Sequence, residues 1–306
     1  MNKISMKEIG ECIWKVEGEK SGPVFIVSGG VHGNEKTGAH SIRLIKKNIE
    51  SGILRVKNGT FYFLLGNLRA IDLDERYTDS RVDLNRCFTS NLTDAQVKSY
   101  EGSRAQEIMN VLRIEDNPAD SVVGIDIHST NTPSQPFLVS QKIPFELHAT
   151  VMPYLKTAEA LLCDPNLIFE GELLTLDEYY ARRGLGLCYE TGHADDCSRV
   201  EIIYNEIVDL GTALGVFESD EKQTPYASNI LPPVYTLRES ITLTDEGFEY
   251  APGIGEGNFV PFLKGDILGY HGTRPVVASC DGVFVFPKLK KHWKVGKSLG
   301  YLTQIL

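Results

Sequence analysis

His32 and Glu35 are the first residues of this chain whose types and spacing could do chemistry. They follow an apolar run, residues 24–27, that ends in Ser28-Gly29-Gly30 and reads as a buried strand closing in a tight turn. From about Asn34 a polar–apolar pattern reads as a helix with Ile42, Leu44 and Ile45 on one side. Three positions apart at a strand-to-helix junction, an imidazole and a carboxylate can lean toward one point. Such a pair suits a Zn²⁺ ion that needs nitrogen and oxygen ligands. A surface histidine beside a helix cap is the plainer reading of the same two residues.

Two later segments end on residues of the same kinds. Residues 121–128 read as a buried strand in which alternation puts Asp126 and His128 on one face. His128, just before the Ser129-Thr130-Asn131-Thr132 turn, is either a third metal ligand or a hydrogen-bonded core histidine. Residues 185–190 read as a further strand that finishes on Glu190, ahead of Thr191-Gly192-His193. A carboxylate there could act as general base on a metal-bound water, or could cap the helix that starts near Ser198. Between these segments, Arg76-Tyr77 to Asn85-Arg86 is unusually rich in arginine and hydrogen-bonding side chains. Arg182 and Arg183 stand just ahead of the Glu190 strand, and His193, Asp195 and Asp196 follow it in what reads as a polar loop.

The elements that must position these residues alternate. Helices are expected over 34–51, 93–112 (capped by Thr93), 151–162 and from Ser198 through Leu210, and further strands over 59–66 and 137–139. Residues 1–20 read as an edge hairpin and 67–76 as a polar loop. Strands alternating with helices predict a largely parallel sheet with its ligands on loops at one edge. From Glu218 the texture changes to close-set turn residues and short strand-like runs, an all-β module of roughly 75 residues. The domains expected are therefore 1–225, α/β and catalytic, and 226–306, all-β.

Composition narrows the function classes. At 306 residues the chain exceeds the usual size of one compact domain. A formal charge of -10, from 31 basic and 41 acidic residues, argues against a nucleic-acid surface. The N-terminus lacks the apolar core of a signal peptide, and no run of 18 apolar residues offers a membrane span. Six cysteines without a CxxC pattern fit reduced thiols in a cytoplasmic protein.

Taken together, His32-x-x-Glu35, Asn85-Arg86 within Asp-Leu-Asn-Arg, Asp126-x-His128, and Glu190 before Thr-Gly resemble the aspartoacylase and succinylglutamate desuccinylase family, a branch of the zinc carboxypeptidase superfamily. The resemblance implies an α/β fold with a zinc-carboxypeptidase-like mixed sheet flanked by helices, followed by a small all-β domain. It implies one Zn²⁺ per chain held by His32, Glu35 and His128, with a fourth position open for water. Asn85 and Arg86 would hold a substrate carboxylate, and Glu190 would serve as general base and then general acid. An arginine would polarise the scissile carbonyl. Arg76 is favoured for that role, but the gap from Arg76-Tyr77 to Asp83 is about two residues longer than the family pattern, so Arg81 competes. Arg182 is a further substrate-binding candidate, as are Tyr250 and Tyr270 of the β-module.

The implied activity is hydrolysis of the amide bond of a small, anionic N-acyl amino acid. A metallocarboxypeptidase acting on peptide-like chains is the alternative, and a non-catalytic binding protein the third reading. No nucleic-acid or membrane partner is expected, and the oligomeric state, a homo-oligomer included, stays open. The depth of the pocket depends on loops at 140–149 and 169–180, whose paths do not follow from the sequence.

Overall fold

The run at 24–27 lies in the buried part of strand β3 (Lys20–Gly29) in the computed structural model, which describes residues 6–142, 150–169, 171–218, 232–244 and 247–306. β3 pairs in parallel with β4 (Asn58–Leu65) on one side and with β5 (Val122–Thr130) on the other. β8 (Gly184–His193) lies parallel on the far side of β5. Every residue of β5 is buried, which explains why it reads as a continuous rather than an alternating apolar run.

The sheet is nonetheless mixed. The hairpin β1 (Met6–Gly10) and β2 (Ile13–Glu17) adds antiparallel to β4 at one edge. Beyond β8 come β6 (Phe137–Ser140), antiparallel to it, then β7 (Leu161–Cys163) and β9 (Val234–Thr242), each parallel to the strand before. β15 (Ser298–Ile305), β14 (Gly282–Val285) and β11 (Val260–Phe262) complete a twelve-stranded sheet. β10 (Phe248–Tyr250), β12 (Ile267–His271) and β13 (Arg274–Val277) form a separate three-stranded sheet. The boundary expected near residue 225 falls outside the described residues, and the large sheet continues past it through the β7–β9 pairing.

Helices cover both faces. α1 (Lys36–Glu50) buries Ile42, Ile45 and Ile49 against Phe25, Val27, Ile125 and Ile127, and α6 (Val200–Ala213) packs beside it. On the opposite face, α4 (Tyr100–Leu112) and α5 (Leu176–Ala181) cover Val24, Ile26 and Val122. That second face carries Ser28, Asp126, His128, Cys188 and Glu190 further along the same strands, so the helices leave open the end where the polar residues gather.

Three local expectations change. The helix expected over 93–112 is two, α3 (Asp94–Val97) and α4, because the Ser99 side chain accepts from Gly102 N–H and starts a new helix. The loop at 67–76 contains α2 (Leu68–Leu73), capped by Asn67. The helix expected over 151–162 does not extend through that range: helical backbone ends at Val151, and a 3-10 turn, Met152–Tyr154, and then β7 follow. Leu161, Leu162 and Cys163 are fully buried between β6 and β9, and a short apolar run of that kind suits a core strand as well as a helix.

Close packing sets one constraint on the covered face. A Cβ added to Gly124 would lie 2.3 Å from the Tyr180 ring, which stacks directly on the β5 backbone. Gly124→Ala should therefore lower stability by about 1–3 kcal/mol in urea unfolding; an unchanged midpoint would mean that the ring can shift aside at no cost.

Candidate metal centre and active site

The parallel strands deliver the site residues to their carboxyl ends. After β3 the chain reverses at Gly30, whose φ of 70° favours glycine, and passes through His32 to Glu35 at the head of α1. Glu35 occupies the cap position, yet its side chain makes no cap bond. It turns inward instead. His128 ends the adjacent strand β5, and the β5–β8 register places Glu190 directly opposite it.

Glu35 lies between the two imidazoles. Its Oε1 is 2.7 Å from His32 Nδ1 and its Oε2 is 2.9 Å from His128 Nδ1, with the Ser129 N–H donating to Oε2 at 3.0 Å. The rings meet edge to face with centroids 5.0 Å apart, and one ligand atom from each of the three residues lies within 4.8 Å of the others. All three are buried. Burial disfavours the Glu35 charge, but His32 and His128 outweigh it and hold the carboxyl well below its ordinary range. Burial likewise opposes a charge on His128, while Asp126 and Glu35 raise its affinity for protons well above the usual value.

Each imidazole is gripped from behind by a second carboxylate. His32 Nε2 is 3.0 Å from Asp83 Oδ1, and His128 Nε2 is 2.7 Å from Asp126 Oδ2. Asp126 is held in turn by Ser28 Oγ, which donates at 2.7 Å and itself accepts from the Tyr180 hydroxyl at 3.0 Å. Both Nδ1 atoms thereby point at the common centre. Two imidazoles, each backed by a carboxylate, and a third carboxylate between them, all buried and convergent, fit the donor set of a divalent metal site. Asp126, Asp83, Ser28 and Tyr180 were not singled out from sequence as supporting residues, although the shared face of Asp126 and His128 was a signal for the first of them.

Glu190 brings the remaining carboxylate. Its Oε2 is buried with no hydrogen-bond partner among the described residues, and its Oε1 lies 3.9 Å from the Cys188 thiol. Burial and then the nearby Glu35 charge push its carboxyl up to about 7. It does not cap the following helix; Asp196 accepts from the Ser198 N–H there, while His193 ends β8 half-buried and Asp195 lies exposed beyond it.

The arginines separate clearly. Arg76 donates to Asp83 Oδ2 at 3.0 Å and lies 3.4 Å from Glu35 Oε1. Arg81 is exposed on a turn with φ 58°. Asn85 sits with Nδ2 3.5 Å from His128 Nε2, and the half-buried Arg86 follows it, donating to the Asn85 carbonyl at 2.8 Å. Arg182 is not brought to the site. It bonds to Glu115 and to the Phe88 carbonyl and stacks on Tyr179. It precedes β8, whose amino end is the edge opposite Glu190, roughly 20 Å away along the strand. The Tyr250 hydroxyl is engaged by the Leu299 carbonyl inside the β-module, and Tyr270 lies exposed on β12.

Comparison with known proteins places this geometry. Residues 21–192 match the model of the succinylglutamate desuccinylase/aspartoacylase catalytic domain. The chain belongs to the succinylglutamate desuccinylase/aspartoacylase family. A probable aspartoacylase of Nostoc sp. is 39% identical over 105 residues, a match that spans 34% of each chain, about a third of that relative's length. A succinylglutamate desuccinylase of Vibrio campbellii is 24% identical over 286 residues, covering 89% of this chain and 78% of its own. An N-acyl-aromatic-L-amino acid amidohydrolase (carboxylate-forming) of Xenopus tropicalis is 30% identical over 227 residues, 67% of this chain and 69% of its own. Among solved structures, the succinylglutamate desuccinylase of Vibrio cholerae superposes with a TM-score of 0.79 at 18% identity, covering 99% of this chain and 88% of its own. Murine aminoacylase 3 gives 0.65 at 18% identity, over 93% and 95% of the two chains. These likenesses establish a shared fold.

In this family member the supporting carboxylates carry a testable load. Asp126→Asn should weaken divalent-metal binding by about 10–100-fold in competition with a chromophoric chelator; unchanged affinity would remove Asp126 from the site. Affinity should also rise with pH around neutrality, because ligation at Nδ1 must displace a proton that Asp126 and Glu35 hold on His128. Calorimetry in buffers of different ionisation enthalpy reads that proton directly, and binding without proton release would contradict it.

Proposed function

We propose that the chain is a zinc-dependent deacylase that hydrolyses the amide bond of a small N-acyl amino acid. The observation that carries this reading is the unpartnered Oε2 of Glu190, buried opposite His128 and beside the His32–Glu35–His128 cluster. Zinc bound to those three residues would act as a Lewis acid toward a water and the scissile carbonyl. Glu190 takes a proton at its free oxygen and later returns it to the leaving amine; a carboxyl raised to about 7 can do both near neutral pH.

Arg76 supplies the cation that meets negative charge developing on the carbonyl oxygen. It is already fixed by Asp83 and Glu35 beside the cluster, which supports it over the exposed Arg81. Asn85 and Arg86 are assigned to the substrate carboxylate, for which a guanidinium offers a matching planar fork. Relatives carry the names aspartoacylase, succinylglutamate desuccinylase and N-acyl-aromatic-L-amino acid amidohydrolase, and all three name N-acyl amino acid chemistry of this kind. Six free thiols support a reducing, cytoplasmic setting. No helix among the described residues is long and apolar enough to cross a membrane.

The test combines metal content with turnover. Wild-type protein loaded with one zinc per chain should release free amine from a panel of N-acyl amino acids. Glu190→Gln should keep that zinc and lose about a thousandfold or more in kcat. Near-normal turnover by the variant, or release of C-terminal residues from peptides in place of deacylation, would overturn the reading.

A further inference from the structure

α5 carries a buried carboxylate that neither the fold nor the proposed reaction uses. Asp177, its second residue, is 4% exposed. The Thr175 hydroxyl and the Gln141 amide, which donates at 3.4 Å, are its polar neighbours, and among the described residues no Lys, Arg or His forms an ion pair with it. Burial and the adjacent Glu178 push its carboxyl up to about 7. A carboxylate this deep is costly unless a cation meets it.

Its position relative to the reaction centre follows from the surrounding bonds. Asn85 Oδ1 accepts the Leu176 N–H at 2.9 Å while Nδ2 of the same amide lies 3.5 Å from His128. The start of α5 is therefore one side chain away from a metal-ligand candidate. The Asp177 carbonyl lies over Gly186, so close that a Cβ there would come within 1.8 Å. Gly186, Cys188 and Glu190 share one face of β8, which climbs from Asp177 to Glu190 in two steps of about 7 Å each.

Cys188, the middle step, shows where that face is open. It is partly exposed, although the residues on either side of it in this interior strand are buried. β5 and β6 flank the strand, so that exposure lies on its face rather than at a sheet edge. The charges of both Glu190 and Asp177 act on its thiol, after burial, to raise its proton affinity. Gly186, Cys188 and Glu190 thus form a row that leads from the proposed base toward Asp177, a carboxylate that pairs with no cation among the described residues. Two strand steps of about 7 Å are comparable to the reach of a lysine or ornithine side chain with a hydrogen bond at each end.

We propose that the substrate side chain lies along this row and that Asp177 is its specificity carboxylate, binding a positively charged group on the side chain of the N-acyl amino acid. The preferred substrate is then the N-acyl derivative of a basic amino acid: its acid group meets Arg86 and Asn85, its ammonium meets Asp177, and it is a zwitterion rather than a net anion. This rests on the deacylase reading above. A dicarboxylate substrate would need a cation beside Asp177, whereas Arg182 is committed to Glu115 and the Phe88 carbonyl and Lys142 Nζ donates to the Gly184 carbonyl at 2.7 Å.

The experiment uses the zinc-loaded full chain in two arms. In turnover, Nα-acetyl-L-ornithine and Nα-acetyl-L-lysine should exceed Nα-acetyl-L-norvaline and Nα-acetyl-L-norleucine in kcat/KM by about tenfold to a hundredfold, with Nα-acetyl-L-glutamate poorest. Asp177→Asn should collapse the cationic-to-neutral ratio toward one, mainly through KM, and Asp177→Glu should restore part of it. In calorimetry, L-ornithine should bind more tightly than L-norvaline, and Asp177→Asn should abolish the difference. Hydrolysis without charge preference, or a preference for the glutamate derivative, overturns the assignment while leaving the deacylase reading standing. No hydrolysis of any acyl compound, with ornithine binding still dependent on Asp177, overturns the deacylase reading and leaves the carboxylate its ligand. Equal binding of ornithine and norvaline to the wild type removes the assignment in either case, whether or not the variants fold.

Discussion

A single buried carboxylate shared by two imidazoles organises this molecule. Glu35 accepts from both rings and from the Ser129 N–H, and each ring is held on its far side by Asp83 or Asp126. Isolated, such a charge would be expelled from the interior; surrounded by donors it is tolerated, but only in one geometry. The strands must therefore be in register to within a residue. A slip of one position between β5 and β8 would turn His128 or Glu190 to the opposite face. The continuous apolar runs of β3 and β5, buried on both sides, give the sheet the rigidity to hold that register.

The polar network also explains the distribution of arginine. Arg76 is tied to Glu35 and Asp83, so the cation nearest the cluster is anchored by the carboxylates that orient the imidazoles. Burial opposes a charge on Asp83, but His32 and then Arg76 keep it ionised, and Asp83 fixes His32. Residues assigned to different roles are thus electrostatically one unit, and perturbing any of them shifts the others.

Much of the site was legible because its signals are local. A β-branched run ending in glycines, with His32 and Glu35 three apart, announces a strand-to-helix turn; alternation joins Asp126 to His128; Glu190 closes an apolar run. What stayed hidden depended on chain paths. Arg76 and Arg81 could not be separated by spacing, since the decision lies in a turn that throws Arg81 outward. Arg182 was drawn in by closeness in sequence to the Glu190 strand, yet a residue preceding a strand sits at its amino end, whereas the polar cluster sits at the carboxyl end. α5 went unread within the segment 169–180, although Thr175 and Glu178 form a capping box that marks its start. Asp177 lay one residue inside that box. Residues 161–162 read from sequence as the end of a helix over 151–162, because a short buried apolar run carries no period of its own.

The placement of β15 between β9 and β14 has a bearing on how the protein is made. The slot it fills lies inside the sheet, but its residues are translated long after those of β3, β5 and β8. Until residues through 305 have cleared the ribosome, β9 and β14 present unpaired amides and carbonyls to any passing strand. The nascent molecule can assemble its reaction centre early while remaining open to self-association at the other end of the same sheet, so chaperone demand should concentrate in the interval before β15 emerges.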